Sequence, residues 1–398
     1  MRNHPAEFVE YGMCLEPTNH PGGAYSIVGG GDLSVDQVRL VGFQSFSGAG
    51  QDLPYTASAG FFVCKFSFWE SVMDIKAPFW HPACVSGFLL DWDGVIAETK
   101  LDFTGVRERY YGGRPAMLLE DAASLPEDER DALMRDLRDL EVEGAKRAVP
   151  VQGAPELLEW LGSHHIPFCV VSRNCAESIE LAAKTIGVKL PEQVWNRDNS
   201  EFIKPDPRAL KSAAASIGVA PRDCLFIGDF LYDLQGARRA GMRSVLVQRE
   251  EKGWDAWYDV SYAKLADLVS ELDDPKPLVP WEYREIHNKR GDKWLNGAWP
   301  ISLTLPDSTS PTLDCWLARA AAFGVGTICV PDGAVISPAD WKANPSFDLG
   351  MMGRSVLDAA REYLAPRYPM TKVVAGADGV KAPKNSLDLM RFIERKIY

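Results

Sequence analysis

Asp91 and Asp93 stand two residues apart in Asp91-Trp-Asp-Gly-Val95, directly behind the apolar run Gly87-Phe-Leu-Leu90. Such a run reads as a buried strand, and acids at its carboxyl end can share one chemical task. Side chains alternate along a regular strand, but a glycine at 94 lets the chain turn and bring both carboxylates to one place. One could attack phosphorus while the other handles the proton of the leaving group. Asp-x-Asp-Gly is also a common turn or Ca²⁺-loop fragment, so the pentapeptide alone leaves both readings open.

Three later stretches repeat the pattern. Ile166-Pro-Phe-Cys-Val-Val-Ser172 is an apolar run ending in a hydroxyl, followed by Arg173 and Asn174. Lys204 precedes Pro205. Cys224-Leu-Phe-Ile-Gly228 is another short strand, followed by Asp229 and Asp233. In a parallel α/β sheet the carboxyl ends of the strands form the ligand crevice. The pattern therefore gathers acids, a hydroxyl and a lysine at one crevice. Oxygen ligands suit Mg²⁺, and a lysine with a hydroxyl neutralises phosphoryl oxygens.

With these four motifs in order over residues 86–274, the chain resembles phosphatases of the haloacid dehalogenase superfamily. The resemblance implies that Asp91 is the nucleophile carrying an aspartyl-phosphate and that Asp93 is the general acid and then base. Ser172 and Lys204 would hold the phosphoryl group. Mg²⁺ would be bound by Asp91, the backbone carbonyl of Asp93, Asp229 and Asp233. The backbone N–H groups of Trp92 and Asn174, with Arg173, would bind substrate. Dehalogenases lack an acid two residues after the nucleophile, transport ATPases carry lysine there, and phosphonate-cleaving members a small residue; Asp93 thus points to phosphate esters. A tryptophan at 92 departs from the smaller or aliphatic residue often found there.

The elements that must position these groups alternate between helix and strand. Val151–Leu161, Ala176–Gly187 and Asp206–Gly218 read as helices, and Met242–Gln248 as a strand. This implies a three-layer, Rossmann-like α/β core with a parallel sheet. The segment from about 98 to 150 is too long for a bare crossover. Leu133, Leu137 and Leu140 lie at helical spacing, and acids crowd the start of that stretch, as a helix dipole favours. Two or three helices here resemble the small helical cap of many members of the superfamily, which covers the substrate. Lys100, Arg107, Arg109 and Arg114 are candidates to meet an anionic substrate, though each also reads as a solvated helix charge. Leu101-Asp-Phe-Thr-Gly-Val-Arg107 resembles a stretch of some phosphoglycolate-phosphatase-like members.

Composition places this site in an ordinary globular chain, with 46% apolar and 25% charged residues over 398 positions. A net charge of −12 argues against nonspecific nucleic-acid binding. No apolar stretch reaches the roughly 18–20 residues of a membrane helix, and the start lacks a signal-peptide core. The eight cysteines form no Cys-x-x-Cys pair; Cys169, Cys224 and Cys329 fall in expected core strands, which fits reduced thiols and a cytoplasmic protein. His81, His164, His165 and His287 have no recognisable catalytic partners.

The flanks are less legible. Residues 1–85 are rich in glycine and aromatics; Gly29-Gly-Gly31 lacks the remaining signature of a phosphate loop and reads as a turn. Residues 275–398 follow a Pro-rich linker and suggest a second, smaller α/β unit, with strands at 301–305, 326–330 and 372–376 and helices at 315–323 and 386–396. One arrangement would have it share a sheet with the N-terminal region, with the phosphatase inserted between its halves. The functional expectation is hydrolysis of a small phosphorylated metabolite. The alternatives are a phosphomutase, a two-function chain whose flanks bind a nucleotide or sugar, and an assembly platform with little turnover.

Overall fold

The computed structural model describes residues 75–305 and 313–398, together with three short strands near the N-terminus. Those strands, β1 (Phe8–Val9), β2 (Met13–Pro17) and β3 (Tyr25–Val28), pair antiparallel with one another. The glycine run at 29–31 and the aromatic run at 61–69 lie outside the described residues.

The central sheet grows from β4 (Gly87–Leu90), whose four residues are all buried. The chain continues through β5 (Ala97–Glu98), β6 (Val149–Pro150), β7 (Phe168–Val171), β8 (Val194–Trp195), β9 (Cys224–Gly228), β10 (Arg243–Val247) and β11 (Val260–Tyr262). Six of these strands form one sheet in the order β11-β10-β9-β4-β7-β8, and every pair is parallel. From β4 the chain builds outward through β7 and β8, then crosses back to β9 on the other side. That reversal is the switch point at which α/β sheets bind ligands. Phe88 and Leu90 join one core with Leu157, Ile179 and Leu268, while Leu89 joins another with Leu210, Phe226 and Ala237. The alternation along one strand thus feeds two layers of helices, and β4 and β9 read as unbroken apolar runs because both faces are covered.

Helices Ala154–Ser163, Ala176–Ile186 and Pro207–Ser216 occupy the expected stretches, and helix Leu231–Ala240 follows β9. Gly187 ends the second in a left-handed conformation, and Asp206 caps the third through the Arg208 N–H. The insertion between β5 and β6, which pair antiparallel as its two stems, holds helices Thr104–Tyr111 and Glu127–Ala145 and a short 3-10 turn. It has its own core of Val106, Tyr111, Leu118, Leu133 and Leu137. Glu127, Asp128 and Glu129 fill the first turn of the long helix, where the dipole favours acids.

A second parallel sheet contains β12 (Ser302–Thr304), β13 (Thr327–Val330), β14 (Lys372–Ala375) and β15 (Val380–Lys381) in the order β14-β13-β12-β15. Its core includes Trp294, Trp316, Leu317, Ile328 and Ile393. All four strands of this sheet come from one stretch of chain, from Ser302 to Lys381. Helix Arg284–Ala298 was not legible because its charged sequence is broken by Gly291, whose φ of 74° interrupts the helical path.

His81 is fully buried, and its Nδ1 accepts the Ala83 N–H at 3.1 Å. Burial pushes its pKa down to about 4 despite Glu271 nearby. The unfolded chain, with an ordinary histidine, therefore binds more protons between pH 6.5 and 4. Stability from this group is present above pH 6.5 and is lost as pH falls towards 4. Wild type is expected to lose about 2 kcal/mol more than His81→Asn between pH 7 and pH 5 in urea unfolding. Equal losses would show that His81 takes up its proton without cost in the fold.

Candidate active site

Asp91 follows β4, its N–H bonded to the Ile227 carbonyl of β9 at 2.9 Å. The next residues turn back at once: the Ile96 and Ala97 N–H groups both bond the Trp92 carbonyl. Gly94 makes this turn at φ 72°, and a Cβ there would come within 2.5 Å of the Asp229 carboxylate. Glycine is thus required both for the left-handed turn and for the approach of an acid from β9. Gly228 has the same function for Asp233, since a Cβ would lie 2.5 Å from its Oδ2.

Lys204 is fully buried and places Nζ 2.6 Å from Asp91 Oδ1 and 2.8 Å from Asp233 Oδ1. Burial works against its charge, but Asp233 and Asp91 outweigh that and hold the ammonium above the usual lysine range. Burial, then the Asp233 charge, pushes the Asp91 carboxyl well up against the pull of Lys204. One ammonium therefore faces three acids. Asp91, Asp229 and Asp233 offer carboxylate oxygens within 4.8 Å of one another. A tight set of oxygens with excess negative charge can hold a metal ion. The Asp93 carboxylate stands outside this cluster.

Asp93 has its own partners. Thr99 donates to Oδ1 and the Asn174 side-chain amide to Oδ2. Burial pushes its pKa up to about 6, with those two hydrogen bonds opposing. Burial and the Asp233 charge bring Asp229 to about 6 as well, with Arg249 opposing at 3.0 Å. Ser172 follows β7, its N–H bonded to Trp195, and its Oγ accepts the Asn174 N–H at 3.1 Å. The Trp92 N–H donates to Asp91 Oδ1 at 2.7 Å. The two backbone donors expected for a phosphoryl group thus border the site, each bonded to one of its side chains.

Arg173 lines the cavity over Asp91 and is also held by protein partners. Its guanidinium forms a bidentate pair with Glu120 of the insertion, at 2.6 and 2.8 Å, donates to the Lys204 carbonyl and lies over the Tyr232 ring. It fastens the insertion to the core. A second fastening is more buried: Arg197 is bidentate to Glu141 at 2.6 and 2.9 Å, and Glu141 also accepts the Cys175 N–H. Together these enclose a cavity of about 420 Å³ over Asp91. Lys100 and Arg107 line it, whereas Arg109 pairs with Asp136 and Arg114 with the Tyr111 carbonyl. Lys100 adopts φ 52°, a left-handed conformation that costs a non-glycine residue about 1–3 kcal/mol.

Thr99, Glu141, Arg197 and Arg249 escaped the sequence reading. Glu141 left a trace, because it stands four residues after Leu137 on the buried stripe, where an acid needs a partner. Arg249 follows the strand β10, as Asp91 follows β4 and Ser172 follows β7. Arg197 left no signal, since its partner Glu141 lies in a distant segment, and Thr99, though only six residues from Asp93, is of a type that marks no particular partner.

Residues 108–247 match the family model described as haloacid dehalogenase-like hydrolase. The chain carries a hydrolase domain of this family. The match starts after Asp91 and does not extend over the flanks. N-acetylmuramic acid 6-phosphate phosphatase of Pseudomonas aeruginosa is 28% identical over 181 residues, covering 40% of this chain and 80% of that protein. (S)-2-haloacid dehalogenase 4A of Burkholderia cepacia is 27% identical over 144 residues, or 36% of this chain and 61% of that protein. The solved structure of a hydrolase from Pseudomonas syringae covers 48% of this chain and 99% of its own, at 21% identity and a TM-score of 0.42. Among the described residues no helix is long and apolar enough to cross a membrane.

Proposed function

We propose that the hydrolase domain cleaves a small-molecule phosphate monoester, with Mg²⁺ as cofactor and a phosphoryl group carried transiently on Asp91. One observation carries this reading: two acids two residues apart lie in different surroundings. Asp91 is bonded to Lys204 and grouped with the metal-type acids, while Asp93 stands apart, held by Thr99 and Asn174. Carboxyl groups separated in this way can act as nucleophile and as acid. A dehalogenase would have no use for the second acid, because halide leaves without a proton.

An Asp91 oxygen attacks phosphorus, the bond to the leaving oxygen breaks, and Asp93 gives that oxygen its proton. Asp93, now a carboxylate, takes a proton from water as the water attacks the phosphoryl group, which leaves as phosphate and frees Asp91. Lys204, Ser172 and the N–H groups of Trp92 and Asn174 receive the phosphoryl oxygens. Asp91, Asp229, Asp233 and the Asp93 carbonyl would hold Mg²⁺, an all-oxygen set that suits a hard cation. When bound, the ion would offset negative charge on the phosphoryl oxygens. Lys100 and Arg107 suit a further anionic group on the substrate, in keeping with the phosphorylated metabolite named for the Pseudomonas aeruginosa relative.

In this reading residues 86–274 are the catalytic domain, with the insertion at about 98–150 as its cap, and residues 1–85 and 275–398 are accessory. The free, buried Cys169, Cys224 and Cys329 fit work in the cytoplasm. The test is hydrolysis of an aryl phosphate by the full chain. EDTA is expected to suppress turnover at least about 100-fold and Mg²⁺ to restore it. Full activity in EDTA would remove the metal from the scheme. No release of phosphate from the aryl ester or from a panel of phosphorylated metabolites would remove the activity itself.

A further inference from the structure

A second cavity, of about 990 Å³, lies at the opposite ends of the strands from Asp91, where β10 enters at Arg243, β13 at Thr327 and β14 at Lys372. Helix Leu231–Ala240 links the two regions, with Asp233 in its first turn and Arg238 in its last. The wall is cationic in a chain whose net charge is −12: Arg222, Arg238, Arg243 and Lys372 line it, against Asp223 as the single acid among the described lining residues.

The acids behind this wall are mostly taken. Arg243 bonds Asp259 at 2.8 Å and both oxygens of Glu282 at 2.7 and 2.8 Å. Arg238 is left with one long contact to Asp259 at 3.3 Å, and its Nε and Nη2 have no acceptor. Its guanidinium lies 4.2 Å from the centre of the Trp281 ring. Burial holds it below the usual arginine range in spite of Asp259. Two more donors of the lining residues lack acceptors, the Trp80 indole N–H and His81 Nε2. Because His81 Nδ1 accepts from Ala83, its Nε2 carries the proton in the neutral ring, and Glu271 at 3.8 Å is beyond hydrogen-bond reach. A buried donor without an acceptor costs about 1–3 kcal/mol, and the remedy here is a ligand that brings oxygens. Trp281 and Trp299 also line the cavity and offer aromatic surface beside these donors.

We propose that this cavity is a second, non-catalytic binding site for a small organic anion that joins an oxyanion to a planar ring, of which a nucleoside monophosphate is the representative. The oxyanion bonds Arg238 and the ring packs on the indoles. The site is independent of the chemistry at Asp91.

The test is calorimetric titration of AMP and of inorganic phosphate into full-length Asp91→Asn protein, which leaves AMP intact. AMP is expected to bind at least about tenfold more tightly than phosphate, and Arg238→Gln to weaken AMP about tenfold or more, the loss of one charge-assisted contact. Arg222→Gln combined with Lys372→Gln should weaken it by a smaller factor that shrinks at high salt. These two residues are exposed, Arg222 by 78%, so the pair carries the test should Arg238→Gln not fold. The proposal is overturned by no AMP binding at about 1 mM, by equal AMP affinity with and without the substitutions, or by phosphate binding as tightly as AMP.

Discussion

Asp91→Asn protein is expected to fold as the wild type does and to hydrolyse an aryl phosphate at least about 10⁴-fold more slowly, a barrier increase of about 5.5 kcal/mol. Asparagine has nearly the same shape and keeps an oxygen for the Lys204 ammonium and the Trp92 N–H. It lacks the carboxylate that attacks phosphorus in the proposed reaction, and in that scheme no neighbour replaces it. Asp233 is itself bonded to Lys204, and Asp93 is turned towards Thr99 and Asn174. The substitution also removes one of three acids that share one ammonium, so the melting temperature should stay level or rise. Steady-state rates and thermal unfolding on the same preparation separate the two effects. Undiminished turnover in a well-folded variant would refute Asp91 as the nucleophile.

Glu141→Ala should instead act first on stability, lowering it by about 3–5 kcal/mol in urea unfolding. Glu141 and Arg197 are only 3% and 8% exposed, so this pair belongs with buried ion pairs rather than with surface ones. Removing the acid leaves the Arg197 guanidinium buried beside the Arg173 carbonyl alone, and leaves the Cys175 N–H without its acceptor. Those groups fix the turn that carries Ser172 and Asn174, and Asn174 holds Asp93. Activity measured well below the unfolding range should therefore also fall. Arg138→Ala, which breaks an exposed pair with Glu177 on the same face, should change stability by less than about 1 kcal/mol. A loss of that small size for Glu141→Ala would mean that the pair does not fasten the cap helix to the core.

The contrast between these residues shows what could be read from the chain. Asp91, Ser172 and Asp229 each follow a strand, and strands are announced by short apolar runs such as Phe88–Leu90 and Leu225–Ile227. In a parallel sheet all such ends lie on one side, so the gathering of these three followed from local pattern plus topology, whereas Lys204 reaches the site from a turn and Asp233 from the first turn of a helix. Gly94 and Gly228 were present as letters, but their necessity appears only when the Asp229 and Asp233 carboxylates are seen against the positions a Cβ would fill.

Arg173 could be located but not assigned. Its place beside Ser172 suggested a substrate contact, while its partner, Glu120, comes from an insertion whose docking angle no local pattern encodes. The same holds for Glu141 with Arg197 and for Arg243 with Asp259 and Glu282. Each is a long-range pairing between side chains whose types allow many partners.

The sequence by itself determined the strand ends, the order of the motifs and the separation of Asp91 from Asp93 by two residues, because these depend on neighbouring residues and on the fixed geometry of a parallel sheet. Tertiary structure alone decided which acids meet Lys204, how Asn174 reaches across to Asp93, and that the cationic cavity beside Arg238 forms at all. Those features require segments far apart in the chain to be brought within a few ångströms, where burial and charge act together.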